Sequence, residues 1–229
     1  AGVAVVGAIG PERAGELVDT VLGGLPETGP ALPDVPEAAG PPAGLAVEEL
    51  PVPQSVAIFG HEGIPREDPD YIPAYVMNYI LGGGGFSSRL MTEVREKRGL
   101  AYGVYSYLSD LEGAPLYIGS VQTANERISE SIEVIRAEWR KMAEEGVTED
   151  ELGKAKRYLT GAFPLRFDSN AKIAGFLVAA QAENLGIDYI NERNGLIEAV
   201  TVEDIARVTK RVLKPDALSL VVVGQPAGL

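Results

Sequence analysis

The 229-residue chain has no cysteine, one histidine and one tryptophan. Without cysteine there can be no disulfide, thiol nucleophile, iron–sulfur cluster or thiolate zinc site. The core must therefore hold by packing alone, which a chain of this length can do. One histidine, His61, cannot make a two-histidine metal site, and that excludes most self-contained catalytic zinc centres. Positive charge is scarce too: 20 Lys and Arg face 33 Asp and Glu, for a formal net charge of −13. Phosphate binding needs a basic footprint, so a nucleic-acid partner is not expected. The sequence has no apolar run long enough to span a bilayer and no leader pattern, so a soluble protein with no membrane span is expected. The lack of cysteine suits a bacterial cytoplasm and a periplasm equally. Ala1 leads straight into an apolar run, which suggests a mature or excised piece of something longer.

What is present is ordinary globular material, 45% hydrophobic and 23% charged. Gly2 to Ile9 is a β-branched run that predicts a buried strand, and Glu12 to Leu22 an amphipathic helix stopped by Gly23 and Gly24. Pro26, Pro30, Pro33, Pro36, Pro41, Pro42, Pro51 and Pro53 mark residues 26–53 as an extended connector lying over the surface. Ser55 to Gly60 predicts a strand, Asp70 to Leu81 a helix, Gly82 to Gly85 a break, and Ser87 to Lys97 a second helix ended by Gly99. Leu100 to Tyr107 and Pro115 to Thr123 predict a hairpin. Helices follow over Glu126 to Glu144, from the capping box Thr148/Glu151 toward Phe163, over Asn170 to Leu185, Tyr189 to Glu198, and Val202 to Val212 with Thr201 as its cap. Leu218 to Val223 closes the chain as a strand. Strands at both ends and in the middle, with helices grouped between, predict an α+β fold: a mixed or antiparallel sheet covered on one face by helices.

Each candidate for chemistry has a plain structural alternative. The glycines at 82–85 precede a helix, as a phosphate loop would, but Phe86-Ser87-Ser88 follows where Gly-Lys-Ser/Thr is required. A flexible or left-handed junction between two helices is the better reading. His61 has no second histidine and no Gly-x-Ser-x-Gly elbow to work with, so a solvated or loop histidine is expected. Residues 89–98 reverse the local charge: Arg89, Arg95, Lys97 and Arg98 stand against Glu93 and Glu96. A solvated face with Glu93 and Lys97 paired accounts for much of this. However, Gly99 turns the chain into a strand bearing Tyr102, Tyr105 and Tyr107. A helix–turn–strand return would bring Arg95 and Tyr102 together from two rigid elements.

The segment from Gly82-Gly83-Gly84-Gly85-Phe86-Ser87-Ser88-Arg89-Leu90 to Glu93-Val94-Arg95-Glu96-Lys97-Arg98-Gly99-Leu100-Ala101-Tyr102 resembles the arginine–tyrosine motif of the pitrilysin/insulinase zinc metallopeptidases. The bacterial relatives of mitochondrial processing peptidase are the most similar. The order of the VVG strand, connector, SVAIFG strand and closing VVVG strand extends the resemblance over nearly the whole chain. The inverted His-x-x-Glu-His helix that carries zinc in the family is missing. The resemblance therefore implies the non-zinc half, with residues 1–229 as one half-unit and no metal of its own. Zinc is implied on a partner half or subunit, in a homo- or hetero-oligomer that cuts peptides. It also implies that Arg95 and Tyr102 stabilise the transition state, and that Gly83, Gly84, Gly85 and Phe86 contact substrate. A non-catalytic scaffold on the same fold is the alternative, and a nucleotide-dependent enzyme using the glycines a weaker third. The negative charge could line a chamber favouring basic peptides or simply keep a surface soluble.

Overall fold

The computed structural model describes residues 2–31 and 33–229. Residue contacts divide the chain into two compact units: residues 36–158 with 196–229, and the chain up to Val35 with residues 159–195.

The larger unit is built on a five-stranded sheet of β1 (Gly44–Glu49), β2 (Gln54–Glu62), β3 (Gly103–Ser109), β4 (Leu116–Ala124) and β5 (Ser219–Gly224), in the order β1-β5-β2-β4-β3. β1 runs parallel to β5, and the other pairs are antiparallel. Side chains alternate across the sheet. Ala57, Phe59 and His61 of β2, Tyr117 and Val121 of β4, Val104 of β3 and Val222 of β5 are buried on one face. Helices cover that face. α3 (Ile128–Glu145) packs on β2 and β4 with Ile128, Ile132, Ile135, Trp139 and Met142 at helical spacing. α2 (Tyr71–Asn78) packs on β3, and α7 (Val202–Val212) on α2 and α3. The opposite face carries Tyr105, Tyr107, Ile58 and Val221, all exposed. The fold is α+β with a mixed sheet, as the sequence predicted.

The local signals at helix starts held. Thr201 accepts the Asp204 N–H at 3.1 Å while the Asp204 carboxylate accepts the Thr201 N–H at 3.0 Å, a complete capping box on α7. Thr148 and Glu151 do the same for α4 (Glu149–Gly161).

Three expectations are corrected. Gly2–Ile9 is extended but not a strand; its recorded bonds are local or to side chains, such as Gln181 Nε2 donating to the Val3 carbonyl at 3.1 Å. A β-branched run sets an extended backbone, but a strand needs a partner edge. The proline-rich stretch 26–53, whose Leu32 lies outside the described residues, is not connector throughout: its proline-free segment 44–49 forms β1. The flanking prolines suit an outermost strand, where a missing N–H costs little. Finally, Ser87–Lys97 is not a uniform α-helix. A 3₁₀ turn at Gly85–Ser87 leads into a helix that widens to π geometry over Met91–Glu96, and the helix from Tyr71 likewise widens over Tyr79–Gly83.

In the smaller unit, α1 (Pro11–Leu22) starts with Pro11 at its first position, where the missing N–H costs nothing. α5 (Asn170–Ala182) is capped by Ser169. Phe163, Phe167 and Phe176 pack edge-to-face at centroid distances of 5.0 to 5.8 Å. α6 (Tyr189–Ala199) begins in this unit, whose part of it ends at Gly195.

Candidate functional site

Arg95 lies in the π-helical turn 91–96, a geometry that often marks a functional position. The turn after it is tight. Gly99 takes φ 58°, its N–H reaches the Arg95 carbonyl at 2.9 Å, and the Leu100 N–H reaches the Val94 carbonyl at 2.8 Å. Glycine holds this left-handed conformation without the strain most side chains would bring. The chain folds back so that Tyr102, just before β3, stands beside the helix it left.

The result is a stacked cation. Arg95 Cζ is 4.4 Å from the Phe86 ring centroid and 4.6 Å from that of Tyr102. Each such contact contributes about 0.5–1 kcal/mol where exposed. The other basic residues of the segment are matched by carboxylates. Arg89 Nε and Nη2 donate to Glu151 at 2.7 and 2.9 Å, Lys97 donates to Glu93 at 2.6 Å, and Arg98 to Glu93 at 2.5 Å. Partial burial pushes the Glu151 carboxyl up, but the bonds from Arg89 and Thr148 with the Arg89 charge together outweigh it and hold it down at about 2. The solvated-face expectation is thus met by Lys97 and Arg98. Arg95 differs: among the described residues it has aromatic neighbours and no ion pair. Its rings fix the plane of the guanidinium and leave its N–H edges open.

Arg95 and Tyr102 line one groove of about 970 Å³. It lies where β3 begins and β4 ends, with Gly103, Tyr105, Gln122 and the start of β2, Gln54 and Val56, in its walls. The register makes this floor: Gly103 faces Gln122, which faces Val56, and Tyr105 faces Ser120, which faces Ile58. Tyr102 is 84% exposed, so its hydroxyl is open to a ligand.

Phe86 reaches this site through Arg95, whereas Gly83, Gly84 and Gly85 are not in the groove walls. Their neighbour Gly82 has a packing reason to be glycine. A Cβ there would lie 2.8 Å from the Ser106 backbone nitrogen, so the bare backbone lets the helix end press on β3. Gly85 takes φ 56°, the left-handed junction expected of the glycine run.

His61 is not the solvated or loop histidine expected from sequence. It is 2% exposed on β2. One ring nitrogen, Nδ1, is 2.7 Å from the Glu62 carbonyl, and the other, Nε2, receives the Trp139 Nε1–H at 3.1 Å and the Lys214 N–H at 3.3 Å. These contacts fix a neutral imidazole with its proton on Nδ1. Burial lowers its pKa. With both nitrogens engaged it is no free ligand, and the described residues contain no group of three or more His, Asp or Glu able to hold a metal ion. They do not fit a zinc site.

Sequence reasoning missed Arg127, which closes the groove from the end of β4 and donates to the Arg98 carbonyl at 3.3 Å. No local signal marks it; only the β3–β4 register brings it to the Arg95 turn. No helix among the described residues is long and apolar enough to cross a membrane.

A family model described as the peptidase M16 inactive domain matches residues 1–159. A Streptomyces coelicolor protein named an uncharacterized zinc protease is 34% identical over 163 residues, which is 70% of this chain and 35% of that one. A Helicobacter pylori protein named a non-peptidase homolog is 37% identical over 97 residues, 42% of this chain and 22% of that one. The crystal structure of a peptidase M16 inactive domain from Pseudomonas fluorescens superimposes with a TM-score of 0.84 at 34% identity, covering 96% of this chain and 52% of that chain. The chain thus spans about a third of the Streptomyces relative and half of the solved structure.

Proposed function

Because the chain belongs to the peptidase M16 inactive-domain family, we propose that it is the substrate-binding, transition-state-stabilising half of a zinc-dependent endopeptidase. In this reading it is inactive alone and is completed by a zinc-bearing half or subunit. The observation that carries the reading is the Arg95 guanidinium, stacked between Phe86 and Tyr102 with no carboxylate partner, in the wall of an open groove.

Peptide hydrolysis passes through a tetrahedral oxyanion. Fixed donors aimed at that charge lower the barrier because they need no reorganisation when it forms. The Tyr102 hydroxyl is one such donor. The open N–H edges of Arg95 supply a charged fork to peptide carbonyls. Neither group moves a proton. Arg95 holds the peptide in place, and Tyr102 meets the oxyanion. Phe86 keeps the guanidinium plane fixed and so positions Arg95. Loss of one such donor typically costs about 10²–10³ in kcat.

The test is reconstitution with the zinc-bearing half. The mixture should cleave peptides, and Arg95→Ala or Tyr102→Phe should each slow cleavage by about 10² or more. Unchanged rates in both variants would remove these residues from the site.

A second reading, a non-catalytic scaffold or binding subunit, is favoured by the Helicobacter relative's name as a non-peptidase homolog. It predicts no turnover in any complex. The retained Arg95–Tyr102 stack has no use in a scaffold and favours the first reading.

A further inference from the structure

The groove has a charge opposite to that of its protein. The chain carries −13 overall, yet among the described residues Arg95 and Arg127 are the only charged side chains in the groove walls, with no Asp or Glu beside them. Neither cation is firmly neutralised. Arg95 has only its two rings. Arg127 has a loose 3.6 Å contact with Glu130 on its own turn and one bond to the Arg98 carbonyl. That bond ties Arg127 to the turn that follows Arg95, so both cations stand at the same end of the groove. Beyond them the floor is uncharged: Gln54, Val56, Tyr105, Ser120 and Gln122.

We infer that Arg127, together with Arg95, selects peptides carrying an acidic side chain. This inference rests on reading the groove as a peptide site. Arg95 is committed to the peptide backbone in that reading, so Arg127 is the specificity residue: its guanidinium fork faces a carboxylate of the bound peptide with no competing anion in the walls. The net charge alone makes the opposite forecast, since a strongly acidic protein attracts basic peptides. The groove and the whole molecule therefore disagree in sign, and an experiment can separate them.

The probes are four fluorescent peptides sharing one apolar and aromatic frame. Three are amidated at the C-terminus and carry Glu, Gln or Lys at one central position. The fourth carries Gln and a free C-terminal carboxylate. Binding to the full chain is followed by anisotropy at about 0.15 M salt, where the screening length of about 8 Å mutes the distant surface. The Glu peptide is expected to bind about threefold to fivefold tighter than the Gln peptide, the range of one partly exposed charge pair, with the Lys peptide weakest. Arg127→Gln should bring the Glu-to-Gln ratio to about one, and Arg127→Lys should keep part of it, since the charge remains and the fork is lost.

Equal binding of the Glu and Gln peptides, or tightest binding of the Lys peptide, would overturn the selection. So would a gain confined to the free C-terminus. If those peptides still lose affinity in Arg95→Ala, the peptide-site reading survives and only the charge selection falls. If no probe binds, or Arg95→Ala changes nothing, the peptide-site reading fails with it.

Discussion

The single histidine and single tryptophan touch each other, which makes one coupling directly measurable. His61 Nε2 accepts from both Trp139 Nε1 at 3.1 Å and the Lys214 backbone N–H at 3.3 Å. Protonating Nε2 turns an acceptor facing two donors into a third donor. Both hydrogen bonds are lost, about 2 kcal/mol at roughly 1 kcal/mol net each. The Lys214 ammonium opposes the new charge, while Glu62 favours it, and burial is the largest factor. The folded-state pKa therefore lies below the unfolded one. The folded state then binds fewer protons than the unfolded chain as pH falls through the ordinary imidazole range near 6.5. Stability from this group is complete above that range and is lost as pH drops toward the lowered folded value. The slope is at most about 1.4 kcal/mol per pH unit.

Urea unfolding followed by Trp139 fluorescence measures this, because the indole is fully buried against the histidine. Between pH 7.5 and 5 the chain should lose stability, and His61→Gln, which does not titrate, should lose much less. His61→Ala should cost about 2–6 kcal/mol at pH 7.5, since two buried donors lose their acceptor, and less toward pH 5, where the native chain has lost part of that stabilisation. A pH profile identical in the native chain and His61→Gln would refute the argument.

Two further outcomes follow from packing and charge. Gly82→Ala should destabilise by about 1–3 kcal/mol, read as a lower urea midpoint, because its Cβ would meet the Ser106 backbone nitrogen at 2.8 Å as well as the Ser106 Oγ and Leu90 Cδ1. Asp68 and Asp70 join the start of α2 to Arg207 and Arg211 of α7. The Arg211 hydrogen bonds hold Asp68 below its usual range, and at Asp70 the bonds from Arg207 and Arg211 outweigh the upward push of burial. Their stabilisation is present above the ordinary carboxylate range and lost as pH falls through the lower folded values. Asp70→Asn should cost about 2 kcal/mol at neutral pH and flatten the acid limb of the unfolding profile; an unchanged acid limb would show that the pair does not hold these helices.

What could be read from sequence was what the chain decides locally. Thr201 with Asp204 and Thr148 with Glu151 make their capping boxes within four residues, so they need no distant partner. Gly99 ends its helix for the same reason. The stretch GLAVEE becomes β1 only because β5, far along the chain, offers it an edge, whereas the apolar 2–9 run pairs with no strand among the described residues. Strand propensity is alike in the two segments; the difference lies in partners that composition does not record. His61 failed in the same way: nothing in Phe59-Gly60-His61-Glu62 announces Trp139 or Lys214.

The site divides along the same line. Arg95 and Tyr102 are seven residues apart with one left-handed glycine between them, so a single local turn suffices to stack them. Arg127 reaches that turn through the pairing of β3 with β4, and its place in the groove wall was invisible in sequence. The overall charge pointed away from it. A count of −13 invited the picture of an acidic chamber for basic peptides, but charge averaged over a surface does not describe a groove. Two carboxylates around residues 89–98 are spent on the neighbouring cations, Glu93 on Lys97 and Arg98 and Glu151 on Arg89. That local matching leaves Arg95 without an ion pair. The sign of the groove is thus set by its own lining, with Arg95 free of ion pairs and Arg127 held only by the 3.6 Å contact to Glu130, and the excess of acid elsewhere on the chain does not change it.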